Sequence, residues 1–240
     1  MTKDRFYFLR AFRSNLKTGF SVDLTTNCPN NCVYCYTQQR RGTGIYEREI
    51  VDELYYGGEI LHLTQEEVDR LNRSGGLRLF SGGDCPRVEN YNEIPEWALQ
   101  ELTHIKGDAD EKRLSLKAFT KNIIFANWAV RHNIRCQLSI DSFGTGFPLE
   151  QALSLRLQYP HLVRIRTLVE NPTRIAYWGE RIDVDILTLY HGRNLEKYNL
   201  QTMPWYRSKA FAQAAHDYPT KVCCQTGKCE TCPVKCGYTT

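Results

Sequence analysis

The chain has 240 residues, 42% hydrophobic and 24% charged, enough for one substantial core and ordinary for a soluble globular protein. Its net charge of +4, from 31 basic and 27 acidic residues, is too small to argue for nucleic-acid binding by itself. No apolar run approaches the roughly 20 residues of a membrane span, and Met1 to Gly19 lack the features of a signal peptide, so the expected location is the cytoplasm.

Phe20, Val22 and Leu24 alternate with polar residues, so 19–25 reads as a strand feeding the loop Cys28-Pro29-Asn30-Asn31-Cys32-Val33-Tyr34-Cys35-Tyr36. Arg40-Arg41-Gly42-Thr43-Gly44 is a basic, glycine-containing loop. Thr64 and Glu67 fit a capping box and Leu63 with Val68 the hydrophobic staple around it. A helix therefore starts near 65 and stops at Ser74-Gly75-Gly76. Leu77 to Phe80 is the next strand, ending abruptly at Ser81-Gly82-Gly83-Asp84.

Ala98, Leu102 and Ile105 share a helical face over 94–105, and the charged stretch Lys106 to Arg113 reads as a solvated loop. Leu114, Leu116 and Ala118 alternate as a strand, and 121–132 reads as helix. Ile134, Cys136, Leu138 and Ile140 mark the fourth strand, closed by a loop from Asp141 to Gly146. Leu149, Ala152, Leu153 and Leu157 form a helical face, Val163, Ile165 and Val169 a strand, 184–190 the last strand, and 208–218 a final helix. Six strands separated by helical segments indicate βα units and a parallel sheet, either open or a partial barrel.

Ten cysteines in a cytosolic chain point to metal or redox chemistry rather than disulfides. Three sit at Cys-x3-Cys-x2-Cys spacing (Cys28, Cys32 and Cys35). Three thiolates can hold three irons of a 4Fe–4S cluster and leave the fourth iron open for a ligand. A zinc knot usually wants paired cysteines and four ligands, and a disulfide scaffold suits a small secreted chain.

The triplet, with an aromatic residue just before its last cysteine, resembles the radical S-adenosylmethionine (radical SAM) superfamily. That resemblance implies a partial (βα)6 barrel over 1–206, a 4Fe–4S cluster on Cys28, Cys32 and Cys35, and SAM chelated at the open iron. Tyr34 would pack beside the cluster and the adenine. Gly82-Gly83-Asp84 stands where the family carries Gly-Gly-Glu against the SAM amino group, with Asp84 one methylene shorter. Glycines let backbone carbonyls approach closely, and a carboxylate accepts from an ammonium-like donor. Ser139 and Asp141 end the fourth strand, where family members place polar groups on the SAM ribose or carboxylate. Arg166, Glu170 and His191 lie at the ends of later strands, and the family's glycine motif near the fifth strand is absent from Leu162–Asn171.

The tail, 207–240, reads as a helix followed by a cysteine-rich metal-binding segment with Cys223, Cys224, Cys229, Cys232 and Cys236. Cys229 and Cys232 form a pair that Cys236 and one of Cys223 or Cys224 would complete. The site is similar to the auxiliary 4Fe–4S clusters of some radical SAM subgroups, and a structural zinc knot fits the same residues. Cys85 follows the Gly-Gly-Asp loop, as a hydrogen-atom donor or redox thiol facing a cavity, or as a small buried residue. Cys136 alternates with core positions.

The family resemblance implies reductive cleavage of SAM by an electron from a flavodoxin- or ferredoxin-type donor. The resulting 5′-deoxyadenosyl radical would take a hydrogen atom from a substrate. Peptide, partner-protein and nucleotide or nucleic-acid substrates stay open, the last because Arg40, Arg41, Arg164, Arg166 and Arg174 would tolerate an anion. The rival reading is a non-catalytic iron–sulfur or zinc module for electron transfer or interaction, with both cysteine groups as closed four-ligand sites.

Overall fold

The apolar alternations of the middle of the chain pair into one sheet, and the helical stretches between them pack against it. The computed structural model describes residues 8–13, 18–24, 55–56, 59–73, 75–80, 84–88, 93–141, 149–169, 174–189, 213–214 and 216–222. In chain order these form β1 (Phe8–Arg13), β2 (Thr18–Asp23), β3 (Tyr55–Tyr56), α1 (Gln65–Arg73), β4 (Leu77–Leu79), α2 (Glu96–Glu111), β5 (Leu116–Thr120) and α3 (Ile123–Arg131). Then come β6 (Arg135–Asp141), α4 (Leu149–Gln158), β7 (Val163–Val169), α5 (Ile175–Gly179) and β8 (Ile186–Leu189).

The strand order is β3-β1-β2-β4-β5-β6-β7-β8. The six strands β2 and β4 to β8 are all parallel, while β1 runs antiparallel to both β2 and β3. In the parallel part, neighbours in space are neighbours in sequence. Right-handed crossovers then bring every connecting helix to the same face, whereas a doubly wound sheet reverses its order and covers both. The result is an α/β sheet compatible with a partial barrel. Its helix-side face is apolar: Val22, Leu79, Ala118, Leu138 and Ile165 share one buried cluster with Leu102, Phe125, Ala129 and Ala152 of the helices.

Local signals account for the element ends. The Thr64 N–H donates to Glu67 Oε2 at 2.9 Å and the Glu67 N–H to Thr64 Oγ1 at 3.3 Å, the reciprocal pair of a capping box. Helix α1 ends on Gly76 at φ 106°, whose N–H reaches back to the Leu71 carbonyl at 2.8 Å.

Three expectations change. Lys106 to Arg113 is not a solvated loop: α2 continues to Glu111, because Ala109 extends the Ala98, Leu102, Ile105 stripe and Lys106 pairs with Asp110 one turn on. The helix stops where Arg113 adopts φ 54° and the Leu114 N–H bonds the Ala109 carbonyl at 2.7 Å. The antiparallel strands β1 and β3 and the short helix α5 were not expected from periodicity; none presents a clean alternation or stripe. The last strand starts two residues later than its apolar run, because the Asp185 side chain accepts from the Ile165 N–H at 2.7 Å and ends the ladder there.

Of the tail, Gln213, Ala214, His216 and Asp217 are helical, and Val222 bridges Leu187 of β8 in parallel. Ala214 and Val222 lie in the same apolar cluster as the strands. The described part of 207–240 therefore shares the main core.

Candidate functional site

The loop Ser81-Gly82-Gly83 follows β4 at the carboxyl end of the parallel strands, the edge where α/β folds gather their ligands. Both residues flanking it are fixed. Leu77 and Leu79 point into the apolar cluster, so regular alternation would send Phe80 to the other face beside Arg78. Instead Phe80 adopts φ 58°, an unfavourable left-handed conformation for an aromatic residue. Its side chain turns into the core at 2% exposure and meets Phe125 of α3 edge-on, ring centroids 5.0 Å apart. The Phe80 N–H still donates to the Val22 carbonyl at 2.7 Å, so the kink falls directly after the last rung with β2. Such strain persists only where surrounding packing holds it.

On the other side, Asp84 is 4% exposed and its carboxylate is held by three donors. Oδ1 accepts from the Cys85 N–H at 2.8 Å and the Thr120 hydroxyl at 2.5 Å, and Oδ2 accepts from the Lys121 N–H at 2.7 Å. Thr120 Oγ1 accepts in turn from the Asn122 N–H at 2.8 Å. Asn122 caps α3, accepting from Ile124 and Phe125 N–H at 2.9 and 3.1 Å. Phe80 and Asp84 thus rest on one β5–α3 corner, and Ser81, Gly82 and Gly83 between them lie outside the described residues.

Cys85 is fully buried in the apolar cluster, and burial, then the Asp84 charge, push its thiol well above the ordinary range. Its side chain is part of the core. Cys136 is likewise in the core, its thiol raised first by burial and then by Asp84. Ser139 is half-buried on β6 opposite Arg166 of β7, and Asp141 is the last residue of β6. Cys28, Cys32, Tyr34, Cys35, Gly82, Gly83, Cys223, Cys224, Cys229, Cys232 and Cys236 lie outside the described residues, as do Arg40, Arg41, Glu170 and His191. Among the described residues no three His, Cys, Asp or Glu side chains form a metal-ligand group.

The face of the sheet away from the helices carries polar groups that the apolar alternation left unread. Ser21, Arg78, Lys117 and Arg135 stand in register across β2, β4, β5 and β6, and one row further on Gln137 stands opposite Arg164. Lys117 is 5% exposed; burial first, then Arg78 and Arg135, lower its pKa to about 7. The Arg78 guanidinium lies 4.2 Å from the centre of the Phe119 ring, a cation–π contact. Gln137 is also 5% exposed, and neither its amide nitrogen nor its amide oxygen makes a hydrogen bond. The signal was present as the polar half of each alternating strand.

No helix among the described residues is long and apolar enough to cross a membrane. Comparison with known proteins found no matching family model, no matching curated protein and no matching solved structure.

Proposed function

We propose that this chain is a radical SAM enzyme of the cytoplasm, built on a partial (βα)6 barrel. The observation that carries the reading is the anchoring of Phe80 and Asp84, the residues on either side of Ser81-Gly82-Gly83, at the carboxyl edge of the sheet. The cysteine triplet follows β2, the strand beside β4, so sequence brings both motifs to adjacent strand ends. Three thiolates with no fourth cysteine nearby in sequence suit a cluster with an open iron, so Cys28, Cys32 and Cys35 would hold it. When bound, the cluster and SAM supply the reductive generation of a radical that removes hydrogen from an unactivated carbon.

The chain's own residues position that chemistry. Among the described residues Asp84 accepts from Cys85, Thr120 and Lys121, so its role in this reading is to hold the loop, and the loop's backbone carbonyls would meet the SAM amino group. Tyr34, Ser139 and Asp141 are the further candidates for SAM contacts. At Val222 the chain runs parallel to β8, toward the same strand ends, and Cys223 is the next residue. An auxiliary 4Fe–4S cluster on Cys223 or Cys224 with Cys229, Cys232 and Cys236 is adopted over a structural zinc knot, because a chain that carries one iron–sulfur cluster already meets the assembly pathway for a second. A flavodoxin- or ferredoxin-type donor would supply the electron.

Anaerobic reconstitution followed by iron and zinc counting, then dithionite and SAM, tests the reading. Formation of 5′-deoxyadenosine supports it, and Cys32→Ala should abolish that product while leaving the C-terminal metal in place. A cluster-loaded protein that makes none would favour the non-catalytic metal module. Zinc bound through Cys229 and Cys232 would remove the auxiliary cluster.

A further inference from the structure

We propose that the face of the sheet opposite the described helices binds an anionic small molecule, its phosphate or carboxylate seated on the Arg78–Lys117–Arg135 row and a second polar group reaching Gln137. The proposal rests on the radical SAM reading only in taking this molecule as the substrate; the binding site itself stands on the observations that follow.

Three cationic side chains occupy neighbouring positions on three adjacent strands, and the residue in register beyond them is Ser21, not an acid. Neighbouring strands lie about 4.8 Å apart, so the half-buried Arg78 and the exposed Arg135 flank the buried Lys117 closely. Burial first, and then the Arg78 and Arg135 charges, disfavour the charged form of Lys117. Asp23, one row along on β2, is buried on the same face. A sheet face serving only as core would carry apolar residues, as the helix side does.

Two further features point to a ligand. Gln137 buries a complete amide, two donors and an acceptor, without one hydrogen bond, and an unsatisfied buried polar group costs about 1–3 kcal/mol. The Nε of Arg78 is buried and unsatisfied as well, while the guanidinium plane is fixed by Phe119. A guanidinium held by stacking, with an N–H unused, suits the bidentate recognition of an oxyanion. Arg135 and Gln137 are two residues apart on one strand, about 7 Å, roughly the reach of a diphosphate or a short dicarboxylate. The row also lies toward the amino ends of the strands, so a molecule anchored there extends toward the edge that bears Ser81-Gly82-Gly83.

Isothermal titration of the reconstituted protein with inorganic phosphate, pyrophosphate and malonate, at constant ionic strength, tests the site. Saturable one-site binding of pyrophosphate or malonate is expected, with the preferred probe identifying the oxyanion. Lys117→Met and Arg78→Leu should each weaken it at least tenfold, and Gln137→Leu should weaken pyrophosphate more than phosphate. Circular dichroism and a thermal melt on each variant separate loss of binding from loss of fold. The charge-preserving Arg78→Lys should keep part of the affinity in a folded protein. Absence of saturable binding, or equal affinity in folded Lys117→Met and Gln137→Leu, overturns the proposal. Assaying 5′-deoxyadenosine on the same preparations separates the two ideas. Deoxyadenosine without anion binding sinks the site and leaves the enzyme reading intact, whereas anion binding without deoxyadenosine does the reverse.

Discussion

The Thr120 hydroxyl donates to Asp84 Oδ1 across 2.5 Å, joining the residue after the glycine loop to the last residue of β5. This bond distinguishes a carboxylate that braces the loop from one that meets a ligand. If Asp84 were the SAM contact, Asp84→Glu would match the commoner family residue and improve SAM affinity. As a buried brace, the longer side chain has no room, so Asp84→Glu should lower thermal stability and weaken SAM binding together. Thr120→Val, which removes the donor alone, should cost about 1–3 kcal/mol by leaving the carboxylate underbonded. Chemical denaturation and equilibrium SAM titration check both, and improved SAM affinity in Asp84→Glu would refute the brace.

Phe80 offers a comparison that reverses the ordinary ranking. Removing the ring costs about 3–5 kcal/mol in either small variant. At φ 58°, however, glycine is unstrained and alanine is not. Phe80→Gly should therefore be more stable than Phe80→Ala by about 0.4–1 kcal/mol, measured by urea denaturation. The opposite order would mean a backbone that is not left-handed there.

Lys117 makes stability depend on alkaline pH. Its folded pKa is about 7 against an ordinary value of 10.5, so between those values the unfolded chain holds more protons than the folded one. Unfolding free energy then rises with pH across that window, and below about pH 7, where both states are charged, the cost of burying the charge is present in full. Lys117→Met should lose this rise. Denaturation midpoints at pH 7, 8 and 9 would show converging curves for the two proteins as pH increases. Parallel curves would show that Lys117 is charged in the native protein.

Gly179 leaves no space for a side chain: a Cβ there would sit 2.5 Å from Cζ of Tyr218. Its carbonyl also accepts from Lys221 Nζ at 2.8 Å. Gly179→Ala should displace the segment around Tyr218, lowering the melting temperature and increasing proteolysis after residue 213. Tyr218→Ala in the same chain should recover part of the loss, since it removes the clashing ring. No recovery would place the defect in α5 itself.

Much of this architecture was legible in periodicity. The alternations at Leu77–Leu79, Ile134–Ile140 and Val163–Val169 became parallel strands, and Thr64 with Glu67 marked the start of α1. The same reading missed the end of α2, because its last turn is largely charged and the buried Asp108 interrupts the apolar stripe. It also treated Phe80 as an ordinary strand residue, since left-handed backbone leaves no trace in an aromatic side chain. The Asp84 brace could not be seen either: Thr120 is 36 residues away in sequence. The row Arg78, Lys117, Arg135 was visible as letters but acquired meaning only through register, which one sequence does not specify.

The bridge from Leu187 to Val222 bears on how the chain is made. β8 is the last named strand of the sheet, and a bare outer strand is a template for pairing with other chains. Its cover, the Leu187 N–H bonded to the Lys221 carbonyl at 2.9 Å, is synthesised more than thirty residues later. A nascent or truncated chain ending before Lys221 therefore presents an uncovered sticky margin. Shortened forms of the protein should aggregate even though every residue of the parallel sheet is present.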